Sequence, residues 1–282
     1  MMLSFYAPAM AEELPCNSVA LVIDGLAAQK GNGNSLNTIQ IRAEDGDALA
    51  QTQLAGLYYW GKVVKQDGAL SAKWYLAAAK QGFAPAQNNI SRAYAVGIGI
   101  EKSYEDAHKW VYEAAKQGFP NAQWNLAMDY YLGIGVSVSN KESFFWASLA
   151  ARTDPKYVKG RDKFADTLSP EDIVMVEINV RKWKVSPPSS TISFRKLESD
   201  IAEITGDLTE EQLSSSLPKL IEHLKNRAQQ EEACSQNTLG NLLYEGSLGQ
   251  AQNRAEAIQW WRKAAKQGNL PARSNLRLKG SE

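Results

Sequence analysis

Cysteine and histidine are almost absent from this chain of 282 residues, which has two of each. Cys16 and Cys234 stand near opposite ends and form no CxxC pair and no Cys/His cluster, so the common metal frameworks have no ligands here. In an oxidising compartment the two can pair, provided their Cα atoms come within about 7 Å. The alternative is two unrelated small side chains. His108 and His223 have no nucleophile or carboxylate motif beside them in sequence, and both read as solvated surface histidines rather than catalytic ones. Net charge is also lacking: Lys+Arg and Asp+Glu number 31 each, so no field draws nucleic acid or an anionic membrane. No apolar run approaches the roughly 18–20 residues that cross a bilayer. Nucleic-acid binding, a membrane span and a metal site are thereby set aside. No cofactor motif stands in their place, and no catalytic residue is assigned.

What the chain does contain is internal repetition. Residues from Ala50-Gln51 to Gly82, from Ala86-Gln87 to Gly118 and from Ala122-Gln123 onward superpose at a constant offset of thirty-six. Tyr58, Tyr94 and Tyr130 keep that spacing, as do Gly61, Gly97 and Gly133, and Trp74, Trp110 and Trp146. AAKQG recurs at 78–82, 114–118 and, far downstream, 264–268. So many matches among large, rare residues do not arise by chance.

Each unit reads as two helices. Ala86, Ile90, Ala93 and Tyr94 make the i, i+4, i+7, i+8 stripe of a helix with one buried face. It stops at Gly97 and Gly99, where a residue without Cβ can take positive φ. The second helix runs from about Tyr104 to Lys116 and buries Ala107, Trp110, Val111 and Ala114. Alanines let helix axes approach, and Trp and Tyr from the neighbour fill the remaining volume. A single pair leaves an apolar face bare, so pairs must stack. The Gly-x-Gly pairs at 97/99 and 133/135 follow helices, not strands, and are helix-ending turns rather than nucleotide loops.

The pattern A-x-x-x-L-x-x-x-Y-x-x-G…W-x-x-x-A-A-K-Q-G resembles the Sel-one-like repeats, relatives of the tetratricopeptide repeat. The resemblance covers 47–155 as three copies and 235–282 as a fourth copy with a capping helix, where Leu239, Tyr244, Gly246, Trp260 and Lys266-Gln267-Gly268 match. It implies an all-α solenoid, an α/α superhelix of helical pairs. The third copy departs at Thr153-Asp154-Pro155, which replaces Lys-Gln-Gly, so regular stacking stops or bends there. Residues 12–46 read as an N-terminal capping helix and loop, and 156–184 as an irregular helical pair opened by Ser169-Pro170. A Pro/Ser-rich linker spans 185–193, and 194–234 reads as helical, with Pro218 splitting or kinking its longer part.

The resemblance implies a non-enzymatic scaffold or adaptor that holds another protein. It also implies that the first helix of each repeat lines a concave face. Positions there outside the consensus core include Tyr59, Asn88, Arg92, Trp124, Met128 and Tyr131. An aromatic and Met stripe is favoured at interaction hot spots, and Arg92 beside it can anchor a carboxylate or a backbone carbonyl. The alternative places Trp124, Met128 and Tyr131 beneath residues 156–184, as ordinary core. Residues 1–11, MMLSFYAPAMA, read either as a signal-peptide remnant ending in a small-x-small site before Glu12, although no positive charge precedes the apolar stretch, or as an ordinary frayed terminus. Among the uses that the resemblance implies, a periplasmic regulator of envelope signalling or secretion is expected, with a cytoplasmic location as the alternative. Rival functions are an immunity protein that neutralises a toxic effector and a hydrolase with a pocket between two lobes.

Overall fold

A capping oxygen before the second helix and a glycine after the first punctuate every repeat. The computed structural model describes residues 18–185 and 210–279, and among these every regular element is helical. Two helices come first, α1 (Ser18–Gln29) and α2 (Gly33–Glu44). The consecutive repeats follow as α3 (Ala48–Trp60) with α4 (Gly68–Lys80), α5 (Ala84–Val96) with α6 (Tyr104–Lys116), and α7 (Pro120–Leu132) with α8 (Asn140–Thr153). The chain forms two compact units, residues 39–202 and residues 1–38 with 203–282.

Within the unit of residues 39–202, Asp67, Ser103 and Ser139 accept from the amides of Leu70, Asp106 and Glu142, opening α4, α6 and α8. Such a cap stabilises by about 1 kcal/mol. The first helices close at Gly61, Gly97 and Gly133, whose φ values of 65°, 76° and 73° lie in the left-handed region.

A glutamine ladder joins successive pairs, with Gln51, Gln87, Gln117 and Gln123 buried. The Nε2 atoms of Gln51, Gln87 and Gln123 donate to the carbonyls of Ala43, Ala79 and Ala115 at 3.0, 3.2 and 3.3 Å. In turn Gln81 Nε2 donates to Gln51 Oε1, and Gln117 Nε2 to Gln87 Oε1, each at 2.8 Å. Gln51 and Gln87 thus each tie their own helix to the helix before and the helix after. Gln87→Leu takes one of its donors from Ala79 O and leaves Gln117 Nε2 only the longer bond to Glu113 O, so urea denaturation should show a loss of about 1–3 kcal/mol.

The ladder ends where the repeat departs from its pattern. Thr153 stands where the third rung needs glutamine, and Gln123 Oε1 is buried without a partner. Asp154 closes α8 in an extended conformation. A short 3-10 turn (Pro155–Tyr157), α9 (Val158–Ala165) and α10 (Pro170–Lys182) then fold back onto α8. Phe164, Val176 and Val180 join Phe144, Trp146 and Leu149 in one core, with Ile173 and Trp183 packed against it.

The other unit, residues 1–38 with 203–282, contains α1, the start of α2, α11 (Glu210–Gln229), α12 (Ala233–Glu245), α13 (Arg254–Lys266) and α14 (Leu270–Lys279). The fourth repeat is α12 with α13. It is not isolated: α11 and α1 both pack on α12, and α14 packs on α13. α11 continues through Pro218, whose ring is exposed, so the expected split does not occur. Glu231, at φ 65°, takes the left-handed turn that glycine supplies at 82, 118 and 268.

Residues 18–44 form two helices where the sequence pattern suggested a helix and a loop. The turn between them is a disguised copy of the repeat's own turn: Ala27-Ala28-Gln29-Lys30-Gly31 permutes AAKQG, with Gly31 at φ 91°. Asn32 then stands where Phe83 or Phe119 follows the glycine elsewhere, and its Oδ1 accepts from the Ser35 amide at 2.9 Å.

Asp24 lies at the centre of this unit, 1% exposed. Its carboxylate accepts from Ser35 Oγ at 2.7 Å, Thr238 Oγ1 at 2.6 Å and Asn241 Nδ2 at 2.9 Å. Asn241 Oδ1 accepts from Trp261 Nε1 at 3.0 Å and Asn275 Nδ2 at 2.9 Å. Asn37 Nδ2 donates to Asn275 Oδ1 at 3.0 Å, and Asn237 Nδ2 to Thr38 Oγ1 at 3.1 Å. A buried carboxylate is tolerable only when donors replace its lost water, and here residues of α2 and α12 supply them. Around the network pack Ile23, Ala27, Leu224, Leu242 and Trp261.

Candidate interaction surface

The structure separates the six candidate binding residues into two groups. Trp124 stacks on Tyr157 with ring centroids 5.1 Å apart and on Phe164 at 5.5 Å. Gly160 of α9 lies so close that an added Cβ would sit 2.1 Å from Trp124 Cη2. Met128 packs against the same core, and Tyr131 meets Phe164 at 5.0 Å. The Trp124 ring is therefore engaged from within the unit, by the segment that follows the broken third repeat. Asn88 is also engaged, buried with its Oδ1 accepting from Asn125 Nδ2 at 2.8 Å.

Tyr59 and Arg92 are placed differently. Together they line a cleft of about 410 Å³ formed by α3, α4 and α5, with Trp60, Tyr75, Asn89, Val96 and Ile98 among its other lining residues. Tyr59 and Trp60 meet edge to face at 4.9 Å at the end of α3. Gly56 on α3 leaves room for the Tyr75 ring, whose hydroxyl would lie 3.5 Å from a Cβ there. Burial pushes the Tyr75 phenol up to about 12; the nearby Arg92 charge opposes the shift and Tyr59 adds to it. Tyr75 therefore keeps its proton at neutral pH and offers a donor to the cleft.

A folded-state value above the unfolded value of 10 means that the phenol's contribution to stability is complete below pH 10 and lost as pH rises toward 12. Alkaline denaturation should show stability falling through that window by up to about 2–3 kcal/mol. The fall should be absent in Tyr75→Phe.

Apolar exposure extends from this cleft at one repeat position. Trp60, Val96 and Leu132 are 68%, 61% and 55% exposed, and each directly precedes a left-handed glycine. The offset of thirty-six places them in register, a signal available in the sequence but masked by their membership of otherwise core-forming helices. Ile98 and Val138, in the turns that follow α5 and α7, are exposed too. In the fourth repeat the equivalent residue is Glu245, whose carboxylate accepts from Asn34 Nδ2 at 3.2 Å and pairs with Lys279 at 3.2 Å.

His108 corrects the expectation of a solvated surface residue. Its side chain is half-buried, with Nδ1 3.2 Å from Asp129 Oδ2 on α7 and the ring edge-to-face on Tyr130 at 5.4 Å. Burial raises the Asp129 carboxyl above the usual range, and the His108 hydrogen bond and charge offset part of that. The pair links α6 to α7, and the rings around it are Tyr112 and Tyr130. Among the described residues no cluster of three His, Cys, Asp or Glu could hold a metal ion, and no helix is long and apolar enough to cross a membrane. Cys234 is buried and no described cysteine is free. Cys16, its candidate partner, lies outside the described residues, as do the candidate signal remnant 1–11 and most of the linker 185–193.

These helical pairs are Sel1 repeats: the family profile matches residues 48–83, 84–119, 120–152 and 235–269. The chain belongs to the Sel1-repeat proteins, which generally act as protein-interaction scaffolds on a typically non-catalytic solenoid. It is similar to a Sel1 repeat protein from Oxalobacter formigenes, at 31% identity over 44% of this chain and 95% of that one, with a TM-score of 0.41. It is also similar to a protective antigen present in uropathogenic Escherichia coli strains, described as displaying an SLR fold. There the identity is 26% over 86% of this chain, the TM-score is 0.41, and the chain spans 66% of that protein's length. No curated protein sequence matches.

Proposed function

We propose that the chain is a scaffold that captures another protein through the cleft of α3, α4 and α5 and the exposed row Trp60, Val96 and Leu132. The observation that carries this reading is the row itself, three large apolar side chains more than half exposed at one repeat position. An isolated exposed apolar residue is ordinary, whereas a row in register beside an aromatic cleft is the composition of a recognition surface. Tyr59 and Arg92 remain in the binding face, and Trp124 and Met128 are reassigned to its support.

The compartment we propose is the periplasm, with a role in envelope regulation or secretion. Two features support it: the small-x-small site before Glu12, and the absence of a free cysteine among the described residues. Sequencing the N-terminus of protein purified from its native cells tests the export step. A chain beginning at Glu12 supports it, and one that retains Met1 rejects it.

Capture itself is tested by affinity purification of the tagged protein beside a Trp60→Ser, Val96→Ser variant, with co-purifying proteins identified by mass spectrometry. Both positions are solvent-exposed, so folding should be unchanged. A stoichiometric partner held by the native chain and lost from the variant is the expected result. Equal recovery with both proteins would sink the assignment of this face.

A further inference from the structure

The cleft holds more polar chemistry than an apolar docking face requires. Arg92 is exposed on α5, and among the described residues it has no carboxylate partner. Tyr75 is 9% exposed and lines the same cleft, yet its hydroxyl has no hydrogen-bond partner among the described residues. The hydroxyl and the exposed guanidinium thus offer two unpaired donors to one cleft. Such a pair fits an anion that accepts from both. The Asn89 amide lines the cleft as a further donor, and Trp60, Val96 and Ile98 surround the polar end with apolar surface.

The extent of free surface says which anion. Trp124, one repeat after Asn88, lies under Tyr157 and Phe164. A polypeptide laid along the first helices therefore meets α9 once it passes the second repeat. An occupant whose chain stops in the cleft fits without displacing α9. One cation with a planar fork of donors matches a single carboxylate.

We propose that the cleft takes the free C-terminal end of a partner polypeptide. Its terminal carboxylate accepts from Arg92 and Tyr75, and its last side chain, large and apolar, lies against Trp60, Val96 and Ile98. This rests on the cleft being a protein-binding site. No bond is made or broken.

The test is an array of short synthetic peptides ending in every amino acid, each made with a free and with an amidated C-terminus. The array is probed with the full chain, Arg92→Gln and Trp60→Ser, all checked for native helicity by circular dichroism. The native chain should retain free-acid peptides that end in Leu, Ile, Phe or Met. Amidation and Arg92→Gln should each weaken retention about 30-fold or more, the scale for removing one member of a hydrogen-bonded charge pair. Arg92→Lys, which keeps the charge but not the fork, should fall between.

Equal retention of amidated and free peptides, with loss in Trp60→Ser, would overturn the terminal carboxylate and leave the protein-binding reading standing. Retention indifferent to both substitutions would overturn the two together. Failure of every free-acid peptide to bind also overturns the terminal carboxylate, while the capture experiment judges the wider reading separately.

Discussion

Asp24→Ala should cost about 3–5 kcal/mol and unfold the unit of residues 1–38 and 203–282 well before the rest of the chain, because it strips the acceptor from three buried donors. Ser35, Thr238 and Asn241 all give hydrogen bonds to this one carboxylate, and Asn241 in turn positions Trp261 and Asn275. The loss therefore spreads through a network rather than stopping at one contact. Asp24→Asn should be milder, since an amide oxygen still accepts but its NH2 group faces donors. Amide hydrogen exchange read by mass spectrometry distinguishes the outcomes. Peptides from α12 and α13 should lose protection in Asp24→Ala, while those from α5 and α6 keep theirs. Uniform loss across all repeats would show that the network does not organise this unit in particular.

Trp124→Ala combined with Met128→Ala should also be severe, at about 4 kcal/mol or more. On the sequence pattern alone these two residues belong either to a binding stripe, whose removal would leave the melting temperature nearly unchanged, or to core beneath residues 156–184. In the structure Trp124 stacks against Tyr157 and Phe164 and is closely approached by Gly160 of α9. Its loss opens a cavity beneath α9 and detaches the cap of the third repeat. Thermal unfolding followed by circular dichroism decides. A melting temperature within a degree or two of the native protein would return both residues to the surface, and a drop of several degrees places them in the core.

The repeats were legible because their signals are local and redundant: a capping oxygen, a left-handed glycine and an alanine face, recurring at a fixed offset. The glutamine ladder was legible only in part. Gln51, Gln87 and Gln123 stand in register in the sequence, yet nothing there says that a polar residue faces inward to a carbonyl of the preceding helix. The Asp24 network was illegible for the same reason. Asp24, Ser35, Thr38, Asn237 and Asn241 are residues whose default place is the surface, and they meet across more than 190 positions of sequence. The turn at Gly31 and the one at Glu231 were hidden by substitutions at the very residue that marks a turn or follows it. Of the proposed binding face, Tyr59 and Arg92 came from their register position. Trp60 and Val96 did not, because the residue before a helix-ending glycine can point either way.

The central claim is that partners are held at the ends of α3 and α5, over Arg92, and not at Trp124. It is tested most directly by placing a photoreactive benzoylphenylalanine at position 60, 96 or, as an outward-facing control, 109, and irradiating the native cells. Lys109 is exposed on α6 and outside the cleft. The account predicts one discrete protein adduct from positions 60 and 96 that Arg92→Gln suppresses, and none from 109. Adducts of equal yield from all three positions, or from 109 alone, would contradict it.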